Sequence, residues 1–392
     1  MRTVGVITVA RSDAGIYLPV LRALRQSDRL ALRLCVTGMH LSPEFGETWR
    51  ELDEAGFAID ERIETLLSSD TAEGVAKSMG VGLISFGQLF GRWRPDLLLV
   101  LGDRFEMFAA AAAAMPFTIP LAHLHGGEVT EGAIDEAMRH AITKMSHLHF
   151  VSTTAYRDRV VQLGEEPWRV TVTGAPSLDT LRTHQPWPRE RLEALIGLSL
   201  ERPTLLATLH PVTLDYENTE RDTAELLAAL EQLEVQVVFT YPNADTQGRR
   251  IMAALEAFTA RHDWATAVVN FGQEGYFSML RHAAAMVGNS SSGVIESASF
   301  AIPVVNIGDR QRGRIRAANV IDVGYDRQAI AEALRRALSP AFRARLVGLT
   351  NPYGDGTAAS KIVDVLADVT IDRRLIMKRF HDLPVPDARP AD

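Results

Sequence analysis

The chain has 392 residues, 46% hydrophobic and 23% charged, which excludes a disordered chain and suits two globular domains of ordinary size. Lys+Arg 41 against Asp+Glu 49 gives a formal net charge of −8 with no basic block, which excludes nucleic acid or an anionic membrane as the main partner. Cys35, alone in the run LALRLCVT, excludes an internal disulfide and reads as buried strand filler; no signal-peptide pattern or apolar run of spanning length occurs, so the expectation is a cytoplasmic protein.

TVGVITV (3–9) is an uninterrupted β-branched run, the mark of a strand covered on both faces. The loop ARSDAG and a helix, IYLPVLRALRQS, follow it. The strand LALRLCVTG, a helical stretch over 71–91, the strand DLLLVLG (96–102) and an alanine-rich helix over 106–114 continue the alternation. The strand TIPLA then delivers HLHGGEVTEGAIDEAMRHAITK (123–144), and LHFVST, a helix near 155–163 and WRVTVTGAPSLD complete the half. Strands alternating with helices predict βαβ units on a parallel sheet.

Three strand ends in this half carry polar residues. The first offers Arg11, Ser12 and Asp13, and the central one Gly102, Asp103, Arg104 and Glu106. The third offers His125, Gly126-Gly127, Glu128, Asp135, Glu136, Arg139 and His140. Ala133, Ala137, Ile142 and Met145 are the expected inner face of its helix, and Asp135 and Arg139, four apart, are expected to share a face. Alone, this stretch fits a capped helix N-terminus with an ion pair as well as it fits a site. Three such loops, each directly after a buried strand, converge on the carboxyl edge of one sheet, where ligands sit in α/β folds.

THQPWPRE (183–190) reads as a linker, because its prolines disfavour helix. A second alternation follows: PTLLATLH, a helix from 219, VQVVFTY, a helix from 247, TAVVNF, a helix near 275–283, AAMVGNSSSG, a helix from 293, IPVVNIG and two more helices. The fold class is therefore α/β, with two Rossmann-like doubly wound domains facing each other across a cleft. In GNSSSGVIE (288–296), Ser290, Ser291, Ser292 and Gly293 precede a helix and form an anion seat, while Glu296 is placed to accept from ribose hydroxyls. An ordinary N-cap needs one serine, not three. Arg310, Arg312 and Arg314 follow the next strand, and guanidinium forks suit phosphate, with Arg312 the one best read as a solvated turn residue. His210 ends the first strand of this half and can hold phosphate or protonate a leaving group. His123, His125 and Glu128 form a conceivable metal set, but arginines already serve the phosphates and no metal is expected.

These motifs resemble the hydrolysing UDP-N-acetylglucosamine 2-epimerases, NeuC-type, of sialic and nonulosonic acid biosynthesis. The matching pieces are RSDxG at 11–15, CVTGMHLSPEFG at 35–46, LVLGDRFE at 99–106, HLHGGEVTEGAIDEAMRHAITKMSHLHF at 123–150, HPVT at 210–213, GNSSSGVIE at 288–296, NIGDRQRGR at 306–314 and NPYGDG at 351–356. The resemblance implies a GT-B-like fold with domains at 1–182 and 183–368, and a segment 369–392 crossing back to the first domain with a poorly ordered tail. It implies elimination of UDP from UDP-N-acetylglucosamine to a 2-acetamidoglucal, then hydration with inversion at C2 to give N-acetylmannosamine. By motif match Asp103, Glu128 and Asp135 are the acid/base set, with removal of H-2 open among them, and Arg139 orients them. Arg11, His210, Ser290, Ser291 and Arg314 would hold the diphosphate and Glu296 the ribose; Asp13, Arg104, Asn243, Ser292, Gly293 and Arg310 complete the substrate set. No cofactor is implied, the partner is the UDP-sugar, and a homo-oligomer (dimer or tetramer) is expected.

One position departs from the pattern: Ala14 stands where relatives usually have an aromatic residue. That points to a larger substrate, a UDP-2,4-diacetamido-2,4,6-trideoxyhexose of the legionaminic acid pathway, as an alternative. A GT-B glycosyltransferase and a non-catalytic sugar-nucleotide sensor are the competing classes. Neither needs Asp103, Glu128 and Asp135 together.

Overall fold

Apolar, β-branched runs become parallel strands when helices cover both faces. In the computed structural model, which describes residues 1–67, 71–130, 134–212, 216–233, 235–242, 248–269 and 271–383, the runs build two compact units. Met1–Glu128, Ile134–Thr180 and Tyr353–Asp392 form the first; Leu181–Pro352 with the short stretch Val129–Ala133 form the second. Among the described residues no helix is long and apolar enough to cross a membrane.

The first unit holds β1 (Arg2–Thr8), β2 (Leu30–Thr37), β3 (Glu61–Ile63), β4 (Leu97–Leu101), β5 (Leu121–Leu124), β6 (Leu148–Val151) and β7 (Val170–Val172). They lie parallel in the order β3-β2-β1-β4-β5-β6-β7. The chain order reverses between β1 and β4, the switch point at which loops splay apart and leave room for a ligand. The second unit holds β8 (Thr204–Thr208), β9 (Gln236–Thr240), β10 (Ala265–Val268), β11 (Ala285–Gly288), β12 (Val304–Ile307) and β13 (Val320–Val323), in the order β10-β9-β8-β11-β12-β13. Its switch point falls between β8 and β11. Both units are thus doubly wound, as the alternation predicts. The edge strands β3 and β13 escape the sequence reading because each is short and only partly covered, so neither forms an apolar run.

The period-two alternation of strands sorts the second unit's core into two layers. Leu205, Ala207, Val237, Phe239, Val287 and Val305 pack on one face of the sheet, and Leu206, Val238, Met286 and Val304 on the other. Cys35 is fully buried on β2, as expected of strand filler.

The return to the first unit begins at Tyr353, ahead of the expected 369. Packing explains this: the helix Ala358–Asp368 buries Ile362 and Leu366 in the first unit's core. Asp179 accepts from the amides of Ala358 (2.9 Å) and Ala359 (2.6 Å), capping that helix from a distant part of the chain. Further on, Lys378 joins Lys144 and His149 around the buried carboxylate of Glu165. Burial alone would raise the Glu165 carboxyl, but the hydrogen bond from His149 and the two lysines outweigh it and hold it at about 2.

Candidate active site

Because β1, β4 and β5 are neighbours in one parallel sheet, their three polar loops share its carboxyl edge. Gly102 follows β4 at φ 72°, a turn that presents Asp103. The helix Ile134–Met145 brings Arg139, 3% exposed, back over the end of β5. Arg139 pairs with Asp103, donates to the His125 carbonyl at 3.3 Å and lies 3.8 Å from Glu128. One buried guanidinium therefore ties two predicted catalytic carboxylates from different loops. On that helix Arg139 acts electrostatically on Asp135, four residues before it, while its guanidinium also turns inward to Asp103 and Glu128. Of the expected inner-face residues Ile142 is buried, Met145 partly buried and Ala137 exposed, while Ala133 lies outside the described residues. The inner face is set by Arg139, Ile142 and Thr143 because the site takes the place of an apolar seam.

Glu128 is 3% exposed and accepts from His125 Nδ1 at 2.6 Å and from the Ser152 hydroxyl at 2.9 Å. Two glycines make this loop possible. A Cβ on Gly127 would stand 2.5 Å from the Tyr156 carbonyl oxygen, so the loop lies flat on the helix Thr154–Gln162 only because that atom is missing. Ser152 was not anticipated, yet the strand-end rule that found the other residues applies to it, since it directly follows β6. Both ring nitrogens of His123 are engaged, with Gly102 carbonyl at 2.8 Å and Thr143 hydroxyl at 3.2 Å, and burial pushes the ring down to about 3. That leaves His123 a structural part of β5, and among the described residues no group of His, Cys, Asp and Glu is arranged to hold a metal.

Asp135 is raised by burial and further by the charge of Asp103, against Arg104 and Arg139. At the end of β1, Asp13 is 4% exposed and accepts from the Val9 amide at 3.2 Å. Arg104, just before the helix after β4, reaches Glu106 two residues on at 3.4 Å, and its charge acts on Asp13 at the end of β1. Arg11 is exposed and pairs with Glu51 at 3.3 Å. Burial pushes the Asp13 carboxyl up to about 7, against the pull of Arg104. The folded protein then keeps a proton that the unfolded chain loses near about pH 4. This group's stabilisation is therefore full at low pH and is lost as pH rises towards 7. Asp13→Asn is expected to remove that slope, so its melting temperature relative to the parent rises between about pH 5 and about pH 8. A difference that stays flat over that range refutes a proton on Asp13.

In the second unit, β8 and β11 pair and both carboxyl ends are polar. Asn289 fastens them: its side chain accepts from the His210 amide at 2.7 Å and donates to the His210 carbonyl at 2.8 Å. Gln311 and Arg310 donate to the Asn289 carbonyl at 2.9 and 3.1 Å. His210 and Arg310 are thus gathered at the turn that continues into Ser290 and Ser291, while Arg314 is tied nearby through its amide to the Gln311 carbonyl at 3.3 Å. His210 is pushed down to about 3 by burial and the charge of Arg310, so it is neutral at neutral pH. The helix expected from 293 is a single turn, Ser292–Ile295, followed by a tight 3-10 turn. Its dipole is correspondingly small, so a helix end contributes little to the anion seat expected here. Gly293 is buried against Val304, where a Cβ would meet a methyl at 3.0 Å. Tyr276, which nothing in the sequence singled out, directs its hydroxyl at Ser290 and Ser292, and burial raises it. Arg312 is exposed, and Asn243 lies outside the described residues.

A family model for UDP-N-acetylglucosamine 2-epimerase matches residues 22–367. The chain is 36% identical over 385 residues to a GDP/UDP-N,N'-diacetylbacillosamine 2-epimerase (hydrolyzing) of Campylobacter jejuni, spanning 97% of this chain and 99% of that protein. It is 34% identical over 387 residues to polysialic acid biosynthesis protein P7 of Escherichia coli, spanning 98% of each. Among solved structures, the UDP-GlcNAc 2-epimerase of Neisseria meningitidis bound to UDP-GlcNAc matches with a TM-score of 0.80 at 19% identity, over 93% of this chain and 99% of that one. The likeness in structure is one of fold: two parallel α/β sheets of GT-B-like type.

Proposed function

The chain belongs to the UDP-N-acetylglucosamine 2-epimerase family and is an enzyme acting on a UDP-sugar, and from that premise we propose that it hydrolyses a UDP-2-acetamido sugar to UDP and the free 2-epimer. The observation that supports this most is the carboxylate set around Arg139. Elimination across C1–C2 needs a base for H-2, and hydration of the resulting 2-acetamidoglucal needs an acid and a base for water. Asp103, Glu128 and Asp135 offer groups in unlike environments: Glu128 buried and hydrogen-bonded, Asp135 raised by burial, Asp103 paired with Arg139. Unlike environments let neighbouring acids hold protons at different pH, as acid/base pairs require.

The turn at Ser290–Ser292 with His210, Arg310 and Arg314 takes the role of holding the diphosphate, and Glu296 the ribose. Held charge makes diphosphate a good leaving group, so the departure of UDP demands only fixed donors. In the first reading the substrate is UDP-GlcNAc and the product N-acetylmannosamine, the NeuC-type step of sialic acid biosynthesis. A second reading, favoured by Ala14 and by the diacetylbacillosamine 2-epimerase of Campylobacter jejuni to which the chain is similar, is the same chemistry on a UDP-2,4-diacetamido-2,4,6-trideoxyhexose. The expected result is a higher kcat/KM on the diacetamido sugar nucleotide, read as UDP release without any acceptor. A clear preference for UDP-GlcNAc removes the second reading and keeps the first.

A further inference from the structure

His125 meets two costs that packing does not explain. Its backbone sits at φ 61°, a left-handed conformation uncommon for a residue with a Cβ. Its Nε2 is buried and has no hydrogen-bond partner among the described residues. Strained backbone and orphaned polar atoms gather at functional sites, where a ligand completes them.

The other ring nitrogen explains what Nε2 is for. His125 Nδ1 lies 2.6 Å from Glu128 Oε1, and that oxygen also accepts from the Ser152 hydroxyl. With Nδ1–H donated to Glu128, Nε2 keeps its lone pair. The neighbouring charges favour this arrangement. Arg139 donates to the His125 carbonyl and stands 3.8 Å from Glu128, so a positive charge lies beside the carboxylate that faces Nδ1. His123, on the same edge of β5, has both nitrogens taken and holds no charge. The left-handed turn at His125 sets the ring at the end of β5 beside the carboxylate set.

We infer that His125 Nε2 is the base that removes H-2, and that Glu128 orients its ring. This rests on the epimerase activity proposed above and fills the role left open among the three carboxylates. The Nε2 lone pair takes H-2 as a proton, and the C2–H electron pair becomes the C1=C2 bond. The C1–O bond breaks at the same time, and UDP leaves with its electron pair. The proton rides on the imidazolium, whose charge Glu128 balances, and exchanges with solvent after UDP departs.

His125→Asn tests this directly. Asparagine places an amide N–H near the position of Nδ1, so the contact to Glu128 can persist while Nε2 is lost, and asparagine tolerates the left-handed backbone. UDP-GlcNAc and the diacetamido sugar nucleotide are each supplied to wild-type and H125N enzyme in deuterated buffer. Release of UDP is expected to fall about 100-fold or more in H125N, with KM within about threefold of wild type. The pH profile of kcat/KM differs between wild type and H125N, because the proton acceptor is gone. Hydration of supplied 2-acetamidoglucal in the presence of UDP stays within about tenfold of wild type, because that step needs other groups. An H125N enzyme that releases UDP within about tenfold of wild type with an unchanged pH profile shows that His125 only holds Glu128, and overturns the assignment. Equal losses in UDP release and glycal hydration also overturn it. If wild-type enzyme releases no UDP from either sugar nucleotide, the proposed activity itself fails and this assignment with it.

Discussion

Asp103→Asn is expected to lower formation of the free sugar about 100- to 10,000-fold while KM changes only a few-fold. Asparagine keeps the shape of the side chain and removes its charge and its capacity to take up a proton. Gly102 remains tied to β5 through its carbonyl to His123 at 2.8 Å and its amide to the Leu124 carbonyl at 3.0 Å, so the turn after β4 stays in place. The loss is therefore chemical, and the melting temperature should move by only a few degrees. Quantifying UDP and free sugar by proton NMR in deuterated water checks it and shows which of the two products is lost first. Sugar formation within about tenfold of wild type places Asp103 outside the chemistry.

Gly288→Ala is expected to destabilise the second unit by about 3–5 kcal/mol and abolish turnover. Gly288 sits at φ 126°, and a Cβ there would lie 1.9 Å from the Thr208 carbonyl oxygen. Thr208 is its strand partner across β8 and β11, so the obstacle is backbone and cannot rotate away. Relief requires the two strands to part, which carries His210 away from the serine turn. Gly324, where a Cβ meets nothing within 4 Å, provides the control. Differential scanning calorimetry of G288A and G324A decides: the first should lower the melting transition by about 10 °C and the second hardly at all. Equal transitions would mean that the β8–β11 junction is more compliant than its geometry implies.

Both expectations concern residues at the carboxyl ends of buried parallel strands, and that rule explains how much was legible beforehand. An uninterrupted apolar run followed by Gly, Asp, Arg or Ser announces both a strand and what it delivers. Asp103, Glu128, His210 and Ser290 are all singled out as candidates in this way. Ser152 obeys the same rule and was passed over because a lone serine after LHFV carries little signal. Tyr276 lies on a helix with no polar pattern around it, and only packing turns its hydroxyl toward Ser290 and Ser292. The edge strands Glu61–Ile63 and Val320–Val323 are short and only partly covered, so hydrophobic periodicity cannot find them.

By itself the sequence determined two doubly wound α/β halves, the strand ends that bear polar residues, and the family, because apolar periodicity and loop chemistry are local properties. The tertiary structure decided which groups pair. Arg139 bonds Asp103 and approaches Glu128 from positions 36 and 11 residues away along the chain, and the helix Ala358–Asp368 is capped by Asp179. It also decided that His123 has both ring nitrogens taken while His125, just past the strand end, has Nδ1 committed and Nε2 open. Such partnerships follow from sheet order and buried desolvation, which join residues far apart in the chain and which no window of sequence contains.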